Sequence, residues 1–150
     1  MYPILKPYRV TSGYGSRISP ITKKKEFHPG IDLVSDSGDK SLIACADGEV
    51  IDSKHDYNDA NRWNLGGKDT VGNRMVVKSV IDGKNYYWSY YHTEINKTQV
   101  GDKVKKGDVL GTYGDVGYSA GAHVHLQCWD EKGFNKTGIA IDPSFLLEIE

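Results

Sequence analysis

The chain has 150 residues, enough for one domain with an ordinary hydrophobic core. Its 19 Lys and Arg against 20 Asp and Glu leave a formal net charge of -1, which excludes the basic surplus of a dedicated nucleic-acid or anionic-membrane binder. Frequent glycine and tyrosine (17 and 10 residues) with short apolar runs suit an all-β domain, mainly antiparallel, with many tight turns.

No run approaches the ~18 consecutive apolar residues of a membrane span. The start, Met1-Tyr-Pro-Ile-Leu-Lys-Pro-Tyr8, lacks the blocks of a secretory signal, so the expectation is release by another route or an excised mature domain. Residues 1–27 read as an arm (1–11) and a loop, with Val10–Arg17 a short strand closing in a glycine turn. The lysines at 23–25 read as a solvated surface. In Phe27-His28-Pro29-Gly30-Ile31-Asp32-Leu33-Val34, His28 and Asp32 are four apart, a spacing that brings both to one side of a strand. Pro29 argues against a helix there. Strands are predicted over 41–46 and 48–53, joined as a hairpin at Asp47-Gly48. Residues 54–73 form a long polar loop containing His55 and Trp63, read as a wall of a groove.

A second hairpin is predicted from 73–80 and 84–91 around Asp82-Gly83, with His92 directly after its aromatic strand. The glycine–aspartate turns of 99–114 mark a compact β unit. Gly121-Ala-His123-Val-His125-Leu126 then places two imidazoles on one strand face and Val124 and Leu126 on the other. Asp142 and Pro143 read as the cap and first position of a short C-terminal helix whose apolar residues, within 142–150, dock on the sheet. Cys45 and Cys128 are far apart and in no CxxC arrangement, and read as buried free thiols.

Four of the five histidines and Asp32 thus form a candidate constellation: His28, Asp32, His92, His123 and His125. Two imidazoles and a carboxylate are a familiar catalytic zinc set that leaves the fourth tetrahedral position open. Such an ion lowers the pKa of water to about 7 and polarises a carbonyl, and two further histidines suit proton transfer and oxyanion stabilisation. Metal-assisted amide hydrolysis uses every part. Spacing alone leaves open whether His123 or His125 is the ligand.

His28-Pro-Gly-Ile-Asp32, Tyr91-His92 and His123-Val-His125 resemble the signature of the lysostaphin-type M23 zinc endopeptidases. Tyr14-Gly-Ser-Arg17, Gly72-Asn73, Val100–Gly107 and Ser119–His123 add to the likeness, in the same order along the chain. The resemblance implies an antiparallel β fold with a groove, a single peptidase domain over 1–150, one zinc ion, and hydrolysis of peptide bonds in bacterial peptidoglycan. It assigns His28, Asp32 and His125 to the metal and His92 and His123 to catalysis. Asn73, Tyr91, Ser119 and Trp63 are expected on the substrate side. The tyrosine that some relatives place shortly before the first metal histidine has no counterpart, which leaves the oxyanion donor open. Expected partners are bacterial peptidoglycan and no nucleic acid, with no membrane insertion and a monomeric chain. The expected site of action is the cell wall, with a phage lysin or a piece of an autolysin as its source.

Two competing readings differ in class. A catalytically silent relative that binds wall material or activates another hydrolase would have lost metal ligands, and here all five positions are filled. A lipoyl- or biotinyl-type carrier is suggested by Val100–Leu110, but the lysine at a hairpin tip that it needs is missing.

Overall fold

Alternation along one strand organises the molecule. In Val124–Asp130 the side chains of Val124, Leu126 and Cys128 are fully buried, while His125, Gln127 and Trp129 take the opposite face. The computed structural model describes residues 2–19, 22–54, 73–114 and 122–145. Its strands are β1 (Tyr8–Ser12), β2 (Gly15–Ile18), β3 (Lys25–His28), β4 (Ile31–Ser35), β5 (Ser41–Ile43) and β6 (Gly48–Lys54). The remainder are β7 (Arg74–Ile81), β8 (Lys84–Tyr91), β9 (Thr93–Asn96), β10 (Lys103–Val104), β11 (Val109–Tyr113) and β12 (Val124–Asp130).

A seven-stranded antiparallel sheet runs β1-β4-β12-β8-β7-β6-β10, so β12 lies inside it between β4 and β8. A three-stranded sheet, β5-β11-β9, and a ribbon, β2-β3, complete the architecture of the described residues. The core unites both larger sheets: Ile31, Leu33, Met75, Val77, Trp88, Tyr90 and Leu126 from one, Leu42, Leu110 and Tyr113 from the other. Full burial of such an aliphatic or aromatic side chain stabilises by roughly 1.5–3 kcal/mol before ordering costs. The fold is therefore all-β, as predicted. Among the described residues, no helix is long and apolar enough to cross a membrane.

The β7–β8 hairpin is the one expected from Asp82-Gly83. Both residues have positive φ (52° and 77°), as a two-residue I′ turn requires, and the register is continuous from Ile81↔Lys84 to Arg74↔Tyr91. The hairpin expected at Asp47-Gly48 is not formed. Strand β5 pairs with β11, whereas β6 pairs with β7 and β10, so Asp47-Gly48 is a corner between sheets. Gly48 is there for close approach: a Cβ would lie 2.3 Å from the Lys78 carbonyl oxygen. The 99–114 unit likewise divides, β10 going to β6 and β11 to β5 and β9.

The N-terminal segment is more ordered than an arm and loop. Residues 8–12 form the edge strand on β4, and the predicted 10–17 strand is split at Gly13-Tyr14, its second half pairing with β3. At the other end a wide helical turn, Gly133–Thr137, has no counterpart in the sequence reading; a single turn carries no readable periodicity. Asp130 Oδ1 accepts the Gly133 N–H at 2.6 Å, and Gly138 closes the turn at φ 68°. Asp142 does cap the last turn, accepting from Ser144 N–H at 3.0 Å, but that turn, Pro143–Phe145, is 3-10. Ile141 bridges to Cys128 and packs on the core. Both cysteines are free and buried. The long loop with His55 and Trp63, and the approach containing Ser119, lie outside the described residues.

Candidate metal centre

Register brings the site together. Ser12, Asp32, His125 and Tyr91 are directly opposite one another on β1, β4, β12 and β8, so their side chains share one face of the large sheet. His28 enters from elsewhere. It ends β3, in the ribbon, and the chain turns at Pro29-Gly30 before β4 begins. The spacing of His28 and Asp32 predicts a shared strand; the structure achieves their meeting through a turn instead. Gly30 makes the turn possible, because a Cβ there would stand 2.4 Å from Leu126 O and 2.8 Å from His125 Nε2.

Three atoms converge. His28 Nε2 lies 3.1 Å from His125 Nδ1, His125 Nδ1 lies 2.9 Å from Asp32 Oδ1, and His28 Nε2 lies 3.3 Å from Asp32 Oδ1. The oxygens behind the two rings favour one tautomer of each. His28 Nδ1–H donates to the Gly13 carbonyl at 2.8 Å, and His125 Nε2–H donates to Gln127 Oε1 at 2.9 Å. The nitrogens left facing Asp32 are therefore lone pairs, and three acceptors point at one spot. Such a cluster calls for a positive charge at its centre, a proton or a cation. Around a tetrahedral zinc ion with bonds of about 2.0–2.1 Å, ligand atoms stand roughly 3.3 Å apart, close to the separations here. The donor set fits, and the hydrogen bonds behind both imidazoles are the support that ligating histidines need. His28 is 2% exposed and Asp32 7%.

Burial opposes charge on Asp32, but whenever the neighbouring imidazoles carry protons, hydrogen bonds from His125 and His28 and the charges of His123 and His125 outweigh it. They hold the carboxyl well below the usual carboxylate range. Its second oxygen, Oδ2, accepts from Arg17 Nη1 at 3.1 Å.

Two more imidazoles adjoin the cluster. His123 Nε2 is 3.5 Å from Asp32 Oδ1, and the His123 ring stands 5.0 Å from that of His92, itself 6.0 Å from the His125 ring. His92 is buried and adopts φ 63°, a conformation uncommon outside glycine. Backbone bonds pin it. Gly114 N–H donates to His92 O at 2.9 Å, and Gly114 O accepts His123 N–H at 3.1 Å, so one residue anchors both histidines.

Asn73 is fully buried, and its amide donates to Thr93 O at 2.9 Å, bracing the corner that carries His92. Tyr91 stacks on the His125 ring at 5.5 Å. Of the residues expected on the substrate side, Ser119 and Trp63 lie outside the described residues. Sequence reasoning passed over Gln127, although two residues after His125 on a strand is the same face. It also gave no task to Gly13, whose backbone contact no side chain announces.

Known proteins point the same way. Residues 26–143 match the model of peptidase family M23. The chain is 31% identical over 136 residues to the glycyl-glycine endopeptidase ALE-1 of Staphylococcus capitis, covering 91% of this chain and 33% of that protein. It is 29% identical over 120 residues to the peptidoglycan DD-endopeptidase ShyC of Vibrio cholerae, covering 79% and 24%. The chain thus spans a third or less of the length of these relatives. The catalytic domain of lysostaphin from Staphylococcus simulans superimposes with a TM-score of 0.66 at 24% identity, over 93% of this chain and 92% of that one. The matched span contains His28, Asp32, His92, His123 and His125, the whole of the histidine–aspartate cluster, and the chain belongs to peptidase family M23.

Proposed function

We propose that the chain is a zinc-dependent endopeptidase that hydrolyses peptide bonds in bacterial peptidoglycan. The observation that carries this reading is the convergence of His28 Nε2, Asp32 Oδ1 and His125 Nδ1, three acceptors within 3.3 Å of one another. Those atoms would hold the ion. When bound, zinc supplies a Lewis acid for the scissile carbonyl and water activated near neutral pH. Gly13 and Gln127 keep both ligand rings in the required tautomer.

His92 and His123 lie beside the ligands and serve the proton transfers. As the water oxygen bonds to the carbonyl carbon, one imidazole takes the water's proton and gives it to the amine nitrogen as the C–N bond breaks. The other donates to the oxygen on which charge develops. Tyr91 borders this place from β8, and Asn73 fixes the corner beneath His92. With Ser119 and Trp63 they complete the proposed substrate side of a single domain acting on the cell wall.

The names of two relatives, a glycyl-glycine endopeptidase and a peptidoglycan DD-endopeptidase, support an endopeptidase and leave two bond types: a glycine bridge, or a D-alanyl link to a diamino acid. A silent binding module needs none of the five positions, and all five are filled and gathered. The deciding experiment measures zinc in the purified chain and digests two peptidoglycans, one with glycine bridges and one directly cross-linked. Mass spectrometry of the new amino termini identifies the bond. A zinc-loaded chain that leaves both walls uncut refutes the proposal.

A further inference from the structure

Arg17 reaches Asp32 through the oxygen that does not face the ligand imidazoles. It lies on β2, opposite Glu26 of β3, and its guanidinium is shared among three partners. Nε donates to Glu26 Oε1 at 3.0 Å, while Nη1 donates to Ser12 Oγ at 2.9 Å and to Asp32 Oδ2 at 3.1 Å. The two carboxylate oxygens of Asp32 are thereby divided: Oδ1 stands at 2.9 Å and 3.3 Å from His125 and His28, and Oδ2 is held by a cation. None of the proposed proton transfers uses Arg17.

We infer that Arg17 is a positioning residue for the metal centre: it locks Asp32 so that only Oδ1 is offered to the ion, and Glu26 aims Arg17. The inference rests on the proposed metal-binding role of His28, Asp32 and His125. Its physical basis is rotation of the carboxylate. An untethered carboxylate can swing until both oxygens face the ion, taking up the corner that reacting groups need. With Oδ2 in a charge-assisted hydrogen bond, that rotation breaks the bond and leaves the guanidinium with an unfilled partner. The planar fork matters, because one group must satisfy Glu26 and Asp32 in different directions at once, which the single ammonium of lysine does less well. Ser12 adds a third bond from the register position opposite Asp32. A purely structural ion pair tying the β2–β3 ribbon to the sheet would alter melting and leave the metal untouched.

The test compares zinc-loaded wild type, Arg17→Met, Arg17→Lys and Glu26→Gln. Each is measured by zinc retained against graded chelator and by the visible spectrum after cobalt replacement. Arg17→Met should release zinc at chelator concentrations roughly 10–100-fold lower than wild type, the usual effect of losing a residue that supports a ligand. Its cobalt bands should shift, since they report the coordination of Asp32. Arg17→Lys should restore part of both, and Glu26→Gln should move both in the same direction by less. A folded Arg17→Met chain with wild-type retention and spectrum overturns the inference. Should that variant not fold, Glu26→Gln decides, and wild-type behaviour in it is equally fatal. A wild-type chain that takes up no zinc refutes the metal site itself, a separate result.

Discussion

Replacing Gly30 by alanine should damage the site without removing any polar atom. The added Cβ would lie 2.4 Å from Leu126 O, 2.8 Å from His125 Nε2 and 2.9 Å from Gln127 Cγ, where ordinary contacts begin at 3.4 Å. The nearest of these is backbone, in the middle of β12, which β4 and β8 hold on both sides. No flexible tip can yield, so the turn carrying His28 must back away from β12 by about 1 Å, in an interior that does not compress. Overpacking of this kind costs roughly 1–3 kcal/mol. For a domain of this size that lowers Tm by roughly 2–4 °C per kcal/mol. The effect on chemistry should be larger. A displacement of about 1 Å between His28 and His125 opens the acceptor triangle, and misplacement on that scale costs on the order of 10²-fold in rate. Thermal melting, zinc content and peptidoglycan turnover read the three quantities on one preparation. An alanine variant that melts, binds zinc and turns over like wild type would show that β12 and the turn do not pack as described.

Asp32→Ala and His125→Ala should each abolish zinc retention and activity together; normal zinc in both variants would move the ligand set elsewhere. His123→Ala should keep its zinc yet lose turnover by a factor on the order of 10² or more, as for other acid–base or oxyanion groups, and a full rate would remove His123 from the chemistry. Burial pushes the Cys45 thiol up to about 12, and burial with the neighbouring Cys45 raises Cys128 further. Both should therefore stay protonated at pH 8 and resist alkylation in the folded chain while reacting fully once denatured. Labelling of either cysteine under native conditions would contradict their burial.

The parts legible in the sequence were those decided by near neighbours. Asp82-Gly83 demands an I′ turn, and the strands on each side have nowhere else to go. The alternation of His123, Val124, His125 and Leu126 sorts polar from apolar without reference to any partner. Asp47-Gly48 misled because a turn-forming dipeptide says that the chain bends, not that its flanks pair. Here Ser41–Ile43 and Gly48–Lys54 find better partners far along the chain. His28 and Asp32 were rightly joined for an incorrect reason, since the turn at Gly30, rather than an unbroken strand, puts them together. The tasks of Arg17 and Gly13 were out of reach because their contacts span different sheets or use only main chain.

The two imidazoles proposed as ligands offer opposite nitrogens, Nε2 from His28 and Nδ1 from His125. The first sits at the far end of its ring and the second next to the stem, so the two residues have reaches of different length. An amide of matching span exists for each: glutamine for the long reach at 28, asparagine for the short one at 125. Chemists seeking to retune the centre should treat these two positions as different parts, and a sequence exchanging their substitutes would miss the ion by about a bond length.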